Sequence, residues 1–333
     1  MKEIVRTEQE IRFVKETFER ELSSRLNLSK VSSPLIVDES TGINDDLNGI
    51  EKPVAFSIRG MNGNRATVVQ SLAKWKRLRL KELGIAEGEG IITDMRALRP
   101  DECLSPFHSV YVDQWDWEKH IAVSERTLEC LRSAVRLIYS ALLKAETMVC
   151  EEITGLPPSL PQEIKFIHAE EMARQYPSLS PKEREEVVAG KYGAVFITGI
   201  GAVLSDGRRH DGRAPDYDDW TTINEDGYKG LNGDIIVWNP VLECAFELSS
   251  MGIRVDSRSL MLQLNECGCG ERLSLPFHSM LAAGELPQSI GGGIGQSRVC
   301  MFMLRKSHIG QVQVSVWPEN ERLRLAGMGI ELM

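Results

Sequence analysis

The stretch Gly291-Gly-Gly-Ile-Gly-Gln-Ser-Arg298 runs directly into the apolar residues 299–304. Glycines let a backbone approach a ligand closely. A helix that begins here would add the positive end of its dipole, and Arg298 adds a full charge. The stretch lacks the Gly-Lys-Ser/Thr of a P-loop. A dinucleotide-binding fingerprint directly follows a strand, and no strand is predicted directly before this stretch. We therefore predict a glycine-rich turn at 291–295 that faces a ligand, followed by an apolar helix at 296–304.

Upstream of this turn, two predicted strands at 234–238 and 245–255 carry polar side chains. Alternation along the second strand predicts that Glu247, Ser249, Met251 and Ile253 share one face. Asp234 would lie on the neighbouring strand. Two carboxylates and a hydroxyl are hard oxygen ligands that suit a Mg²⁺ ion shared with a nucleoside triphosphate. The alternative is a pair of carboxylates balanced by an arginine of the same strand.

The segment 94–102 is a strand that ends in charged residues. Alternation places Arg99 on the face opposite Arg96, at the strand end before Pro100. A guanidinium at that point can bind a phosphate through two parallel hydrogen bonds. The alternative is a surface arginine paired with Asp101 or Glu102.

The segment 109–117 places valines, Gln114 and Asp116 on one face, with Trp115 and Trp117 on the other. An amide and a carboxylate on an apolar face are costly to bury unless they are bonded. Gln114 is therefore a candidate ligand contact.

The segment 208–220 contains four carboxylates, three arginines and His210, a composition typical of a loop. One interpretation is a solvated loop that neutralises its own charge. The other is recognition of a zwitterion, with arginine for a carboxylate and aspartate for an ammonium. No second histidine stands at a metal-ligand spacing, so we assign His210 a structural hydrogen bond.

The order of predicted elements determines the fold class. The elements do not alternate regularly between strands and helices. They include a first helix, a hairpin of 54–58 with 66–69, a long helix at 124–153 and a last strand at 311–316. We predict an α+β fold, an antiparallel sheet flanked by helices, with residues 1–333 as a single domain.

The composition excludes several classes of protein. The 333 residues carry a net charge of -9, which disfavours binding to nucleic acid. No apolar run approaches the ~18 residues of a membrane span, and the N-terminus lacks the apolar core of a signal peptide. Seven scattered cysteines are typical of reduced thiols. We predict a cytoplasmic protein that binds neither membrane nor nucleic acid.

An arginine at a strand end, followed late in the chain by a glycine run and a second arginine, resembles the catalytic domain of class II aminoacyl-tRNA synthetases. Longer stretches resemble one family more closely, the ammonia-dependent asparagine synthetases. These stretches are 71–77, 97–101, 108–117, 213–220, 231–235, 246–254 and 287–298.

The resemblance implies a two-step reaction. The β-carboxylate of L-aspartate attacks the α-phosphate of ATP, which releases pyrophosphate and forms β-aspartyl-adenylate. Ammonia then attacks the activated carbonyl and releases L-asparagine and AMP. Magnesium is the implied cofactor.

The resemblance also implies roles for individual residues. Arg99 would hold the α-phosphate and the reacting carboxylate, and Arg298 with Gly291, Gly292 and Gly293 would bind ATP. Asp234 and Glu247, with Ser250, would hold Mg²⁺. Asp45 would lie near the β-carboxyl group and take a proton, although Asp46 stands beside it. The remaining implied substrate contacts are Ser71, Lys76, Gln114, Arg213, Asp218, Ser249 and Arg254.

Two rival functions remain at this point. One is a related ligase of the synthetase type with another acceptor, and the other is a silent relative that binds amino acid or nucleotide as a regulator. Position 2 is Lys rather than the cysteine nucleophile of a glutaminase, so free ammonia is the expected nitrogen donor. By analogy with the fold, we predict a homodimer built partly on residues of the twenties to the forties, which include Pro34.

Overall fold

The computed structural model describes residues 2–44, 47, 51–61 and 63–333. Its α-helices are α1 (Lys2–Leu26), α2 (Ala73–Leu83), α3 (Leu128–Val149), α4 (Ala169–Gln175), α5 (Pro181–Tyr192), α6 (Ser257–Glu266), α7 (Pro276–Ala282), α8 (Gln296–Met303) and α9 (Glu319–Gly327). Its strands are β1 (Leu28–Lys30), β2 (Ile36–Asp38), β3 (Ala55–Ser57), β4 (Arg65–Val68), β5 (Gly90–Leu98), β6 (Tyr111–His120), β7 (Lys165–His168), β8 (Ala194–Thr198), β9 (Asn232–Asn239), β10 (Cys244–Ile253) and β11 (Ser289–Gly295). No helix in the described part of the chain is long and apolar enough to cross a membrane.

The main sheet has eight strands in the order β1-β5-β6-β11-β10-β9-β8-β7. The six strands from β5 to β8 in this order pair antiparallel, and only the two edge pairs are parallel. A second sheet, in the order β2-β4-β3, contains the predicted hairpin. The predicted α+β class, an antiparallel sheet flanked by helices, is confirmed.

The largest core cluster lies between the main sheet and helices α1, α3 and α8. Phe18 of α1 packs on Trp115 of β6 with ring centroids 4.8 Å apart. Trp115 and Trp117 are both fully buried, which confirms the predicted alternation along this strand. Because the tryptophans fill one face of β6, the polar side chains at 114, 116 and 118 lie on the other face. That second face of the sheet carries the candidate site.

The glycine run is a strand, not the predicted turn. Residues 289–295 form β11, which pairs with β6 and β10. A Cβ at Gly291 would lie 2.0 Å from Glu118 Oε2, and a Cβ at Gly293 would lie 2.3 Å from Gln114 Oε1. Glycine is required here because side chains of neighbouring strands fill the space above the backbone. The helix predicted to follow is confirmed as α8.

Two other predictions are wrong. Strand β10 has a register shift between Glu247 and Ser249, so the predicted shared face of these residues does not form. An extra residue reverses the alternation beyond it. Residues 311–316 form no strand, and the chain continues instead into α9.

Candidate active site

Two adjoining cavities open on the polar face of the main sheet. We call them the ionic cavity, about 370 Å³, which contains Lys76 and Arg254, and the aromatic cavity, about 190 Å³, which contains Phe107 and His108. Both are lined by Arg99, Glu102, Gln114, Glu247 and Gly293. The two cavities are therefore two halves of one cleft.

Arg99 stands at the junction of the two halves. It follows directly after β5, as predicted, and is half-buried. Its Nη2 makes one long hydrogen bond, 3.4 Å, to the main-chain oxygen of Gln70. Among the described residues it has no ion-pair partner, and its Nε has no acceptor. Its guanidinium can therefore bind an anion placed between the two halves.

The floor of the ionic cavity is a buried ion-pair network. Arg254 donates from Nε to Glu118 Oε1 at 2.9 Å and from Nη2 to Glu118 Oε2 at 2.7 Å. Its Nη1 donates to Asp218. Ser289 Oγ donates to Glu118 at 2.7 Å. These charges lower the pKa of Glu118 and raise that of Arg254, in both cases against the effect of burial.

A second ion pair in the ionic cavity joins the loop 208–220 to the sheet. Arg213 donates from Nη2 to Asp234 Oδ1 at 2.6 Å and from Nη1 to the hydroxyl of Ser250. Its Nε lies 3.6 Å from Asp218 Oδ2. Asp218 is fully buried, so this loop is not the solvated loop of the first interpretation.

Lys76 is the buried cation of the opposite wall. Its Nζ lies 2.9 Å from Asp116 Oδ2 and donates to the main-chain oxygen of Gly292 at 2.8 Å. Burial lowers the pKa of Lys76, although Asp116 opposes this shift. The second oxygen of Asp116, Oδ1, is buried and has no hydrogen-bond partner among the described residues. It is available to accept a hydrogen bond from a ligand.

The aromatic cavity combines rings with positive charge. The guanidinium of Arg298 lies 5.8 Å from the ring centroid of Phe107, and its Nη1 donates to the main-chain oxygen of Glu247 at 2.9 Å. Burial lowers the pKa of His108 to about 4, and the nearby Arg298 and Arg99 contribute to this shift. The imidazole is therefore neutral at physiological pH. A flat, anionic ligand such as a nucleotide fits this combination.

The structure brings most of the predicted residues together. The lining of the cleft includes Ser71, Lys76, Arg99, Gln114, Arg213, Asp218, Glu247, Ser250, Arg254, Gly292, Gly293 and Arg298. Asp234 lies beneath Arg213, and Gly291 lies beneath Glu118 and Arg254. Asp45 and Asp46 lie outside the described residues.

Ser249 does not reach the cleft. It pairs with Ile235 and Ile294, which belong to the apolar core, whereas Ser250 pairs with Asp234 and Gly293 on the polar face. The bulge in β10 causes this reversal, so the prediction of Ser249 as a substrate contact is corrected.

Several residues of the site were not predicted from the sequence. Glu118 continues the alternation of Gln114 and Asp116, and this pattern could have identified it. Phe107, His108 and Glu102 come from irregular segments, and no periodicity marks them.

The predicted magnesium ligands are two carboxylates and a hydroxyl, which are hard oxygen donors. Asp234, Glu247 and Ser250 lie on the same face of two neighbouring strands. Burial raises the pKa of Asp234 to about 6, and the Glu247 carboxylate adds to this shift although Arg213 opposes it. Among the described residues no group of three or more His, Cys, Asp or Glu could hold a metal ion. Arg213 donates to both Asp234 and Ser250, so an ion bound here would displace that guanidinium and take its other ligands from phosphate and water.

The chain is similar to known proteins along almost its whole length. The family described as aspartate-ammonia ligase matches residues 5–328. An aspartate–ammonia ligase of Parabacteroides distasonis is 55% identical over 97% of this chain and 94% of its own length. One of Bacteroides thetaiotaomicron is 52% identical over 99% and 96%. Among solved structures, the asparaginyl-tRNA synthetase of Pyrococcus horikoshii complexed with asparaginyl-adenylate superposes with a TM-score of 0.67 and 14% identity, over 94% of this chain and 70% of its own. That of Entamoeba histolytica gives 0.63 and 14%, over 94% and 67%. These two structures share the fold.

Proposed function

The chain belongs to the aspartate–ammonia ligase family, and from this premise we propose how its cleft makes L-asparagine from L-aspartate, ammonia and ATP. The observation that carries the proposal is the guanidinium of Arg99, which has no ion-pair partner among the described residues and lines both halves of the cleft. ATP occupies the aromatic cavity and aspartate the ionic cavity. The α-phosphate and the β-carboxylate then meet at Arg99. Residues 1–333 act as a single catalytic domain.

The first step is adenylation. An oxygen of the β-carboxylate attacks the α-phosphorus, pyrophosphate leaves, and a mixed anhydride forms. Negative charge accumulates on the oxygens of the pentacoordinate phosphorus. Arg99, which lines both cavities, and Arg298, which lines the aromatic cavity, stabilise that charge. Gln114 lies between the cavities and orients the carboxylate.

The ionic cavity recognises the amino-acid end of aspartate. The free Oδ1 of Asp116 accepts a hydrogen bond from the α-ammonium group, and Asp218 adds negative charge. Lys76 and Arg213 supply cations for the α-carboxylate, and Ser71 lines the same wall. A ligand with opposite charges at fixed separation matches these paired groups.

Magnesium is the cofactor that these residues would hold. Asp234 and Glu247, with the hydroxyl of Ser250, would bind it beside the phosphates of ATP. When bound, the ion supplies positive charge that stabilises the leaving pyrophosphate. Arg213 donates to Asp234, so this buried carboxylate has a cationic partner.

The second step is aminolysis. The lone pair of ammonia forms a C–N bond with the activated carbonyl carbon, the C–O bond to the phosphate breaks, and AMP leaves. One proton must leave the nitrogen. Asp45 stays our prediction for the group that accepts this proton. The reducing cytoplasm remains the proposed location, since the seven cysteines are free thiols in the structure.

Product analysis tests the proposed reaction. Purified protein is incubated with aspartate, ATP and Mg²⁺, with ammonium in one sample and glutamine in another. We expect asparagine, AMP and pyrophosphate in equal amounts with ammonium, and no asparagine with glutamine. Phosphorus NMR distinguishes AMP and pyrophosphate from ADP and phosphate. Formation of ADP would contradict the adenylate route, and an absence of turnover with folded protein would favour a silent binding protein.

We also propose that the enzyme is a homodimer. The small sheet and the segment leading to it expose Leu35, Ile36, Val54 and Phe56 at 56%, 39%, 36% and 41% of their surfaces. This patch includes the region around Pro34 that the fold analogy assigns to subunit contact. Exposed apolar residues clustered in this way are typical of an interaction surface.

Sedimentation equilibrium at micromolar concentration tests the dimer. We expect twice the chain mass for the natural protein and a monomer for the double variant Leu35→Asp, Phe56→Asp, because two desolvated carboxylates oppose association. Val123→Asp changes an exposed apolar residue elsewhere, at 73% of its surface, and serves as the control. A monomeric natural protein would contradict the proposal.

A further inference from the structure

The helix that carries Arg298 begins without a capping side chain of its own. Helix α8 starts at Gln296, and its N-cap residue is Gly295, which has no side chain to accept a hydrogen bond. The first N–H groups of a helix lack a partner within the helix, and a serine, threonine or aspartate at the N-cap position usually supplies one. A Cβ at Gly295 would lie 3.2 Å from the Cβ of Arg298. The stem of Arg298 therefore occupies the space that a capping side chain would need.

An aspartate of β6 supplies the missing cap. Asp113 Oδ1 accepts a hydrogen bond from the main-chain N–H of Ser297 at 3.0 Å. Ser297 is the second residue of α8, and the N–H at this position is one of the two that an N-cap side chain ordinarily binds. Ser297 also directly precedes Arg298 in the chain. Asp113 therefore caps the turn of α8 from which the Arg298 side chain starts.

The position of Asp113 departs from the pattern of its strand. Alternation along β6 gives Asp113 the same face as Trp115 and Trp117, which are fully buried in the core. A carboxylate on that face is costly to bury unless it is bonded. Asp113 is only 7% exposed. Departures of this kind from a regular pattern are expected at functional or strained positions.

Two side chains hold the Asp113 carboxylate in place. Lys15 of α1 donates from Nζ to Oδ2 at 3.0 Å. Gln313 donates from Nε2 to Oδ1 at 3.3 Å and to the hydroxyl of Ser297 at 2.9 Å. Because a carboxylate only accepts hydrogen bonds, the amide of Gln313 must turn its nitrogen toward Asp113. Both carboxylate oxygens are therefore bonded, and the acceptor for α8 is fixed in orientation.

The Arg298 side chain is thereby held at both ends. Its Nη1 donates to the main-chain oxygen of Glu247 at 2.9 Å, and its backbone follows the capped N–H of Ser297. The chain just before it contains four glycines within residues 291–295. Glycine loses more conformational freedom than any other residue when it is ordered, so bonds from neighbouring elements are needed to hold this entry to the helix. Asp113 provides such a bond one residue before Arg298.

We propose that Asp113 is a positioning residue for the adenylation step, because it fixes the first turn of α8 so that the guanidinium of Arg298 meets the phosphates of ATP. This inference rests on the proposed function, in which Arg298 stabilises the charge of that step. Asp113 also lines the aromatic cavity, but both of its oxygens are bonded to described residues and Lys15 balances its charge. Its effect on ATP therefore passes through Arg298. A displacement of a reacting or stabilising group by about 1 Å can cost about 10²-fold in rate.

The first test removes the cap. Aspartate-dependent exchange of pyrophosphate into ATP measures adenylation and needs no ammonia. In Asp113→Ala we expect kcat/KM for ATP in this exchange to fall at least tenfold, while KM for aspartate stays within twofold because the ionic cavity is unchanged. Asp113→Asn keeps an oxygen that can accept from Ser297, and Lys15, which is 30% exposed, can turn to water. We expect this variant to recover at least a third of the natural kcat/KM.

A second variant tests the cap without removing Asp113. Gln313→Leu deletes the amide that fixes the carboxylate, and about a threefold fall in kcat/KM for ATP is expected. A double variant then shows whether the effect passes through Arg298. Asp113→Ala added to Arg298→Ala should lower exchange by less than a further twofold, since residues that act as one unit are not additive. A further tenfold loss in that background would overturn the inference, as would natural ATP kinetics in each of the cap variants that folds.

Glu170→Ala is the matched control. Glu170 of α4 is likewise 7% exposed, forms an ion pair with Arg174 and accepts from the main-chain N–H of Ser205 at 2.9 Å, outside the cleft. This variant should lose thermal stability and keep KM for ATP within twofold. An equal rise of KM for ATP in Glu170→Ala and Asp113→Ala would assign the effect to lost stability and overturn the inference. Absence of exchange in the natural protein would instead overturn the proposed function, on which the inference rests.

Discussion

Replacing Arg99 with alanine is expected to reduce aspartate-dependent exchange of pyrophosphate into ATP by roughly 10²–10³-fold. The guanidinium lines both halves of the cleft, and among the described residues its only hydrogen bond is the long one to Gln70. Its charge is therefore available for the substrates. A group that stabilises charge developing in the transition state should affect kcat more than KM.

Two further variants define what the Arg99 experiment measures. Arg99→Lys keeps the charge but not the two parallel donors, so an intermediate loss is expected. Arg96→Ala removes an exposed arginine from the opposite face of the same strand and should leave exchange within twofold. Equal thermal stability of all three variants would show that the losses are not caused by unfolding. Retention of more than a tenth of the exchange activity by Arg99→Ala would contradict its proposed role at the phosphate.

The face of each strand could be predicted wherever the alternation is regular. In β6 the two tryptophans point to the core and Gln114 to the cleft, as the pattern predicts. In β10 a single extra residue between Glu247 and Ser249 reverses the faces, and no residue type marks that position. Alternation identifies the strand, but a bulge is set by the pairing of two strands that are distant in sequence.

Burial of charged loops could not be predicted from composition. The loop 208–220 has the residues of a solvated loop, yet Asp216, Asp218 and Asp219 are fully buried. Their cationic partners include Lys74 and Arg126, which stand far away in sequence. The same applies to the glycine run, because the side chains that demand glycine belong to neighbouring strands.

Replacing Arg254 with methionine is expected to lower the free energy of unfolding by about 3–5 kcal/mol, because a buried charge pair would lose one partner. Arg254 is 2% exposed, and its two partners Glu118 and Asp218 are fully buried. The variant would leave Glu118 in the protein interior without its paired cation and Asp218 with only the more distant Arg213, at 3.6 Å. Chemical denaturation measures the change, and Arg258→Met, at an exposed arginine of α6, is the matched control.

The pH dependence of this loss in unfolding free energy distinguishes an effect of charge from an effect of packing. In the natural protein Arg254 lowers the pKa of Glu118. The ionised carboxylate therefore contributes stability at every pH above the pKa that Glu118 has in the unfolded chain. This contribution is lost only as the pH falls through the lower pKa that Glu118 has in the folded protein. Without Arg254, burial dominates and raises the pKa of Glu118, so the variant gains a proton and recovers stability as the pH falls. The stability difference between the two proteins should therefore shrink between pH 7 and pH 5. Arg254→Met combined with Glu118→Gln should show a smaller loss at pH 7, since the double variant removes the charge of Glu118, which Arg254→Met leaves without its paired cation. A difference that is independent of pH would assign the effect to packing around Gly291 rather than to charge.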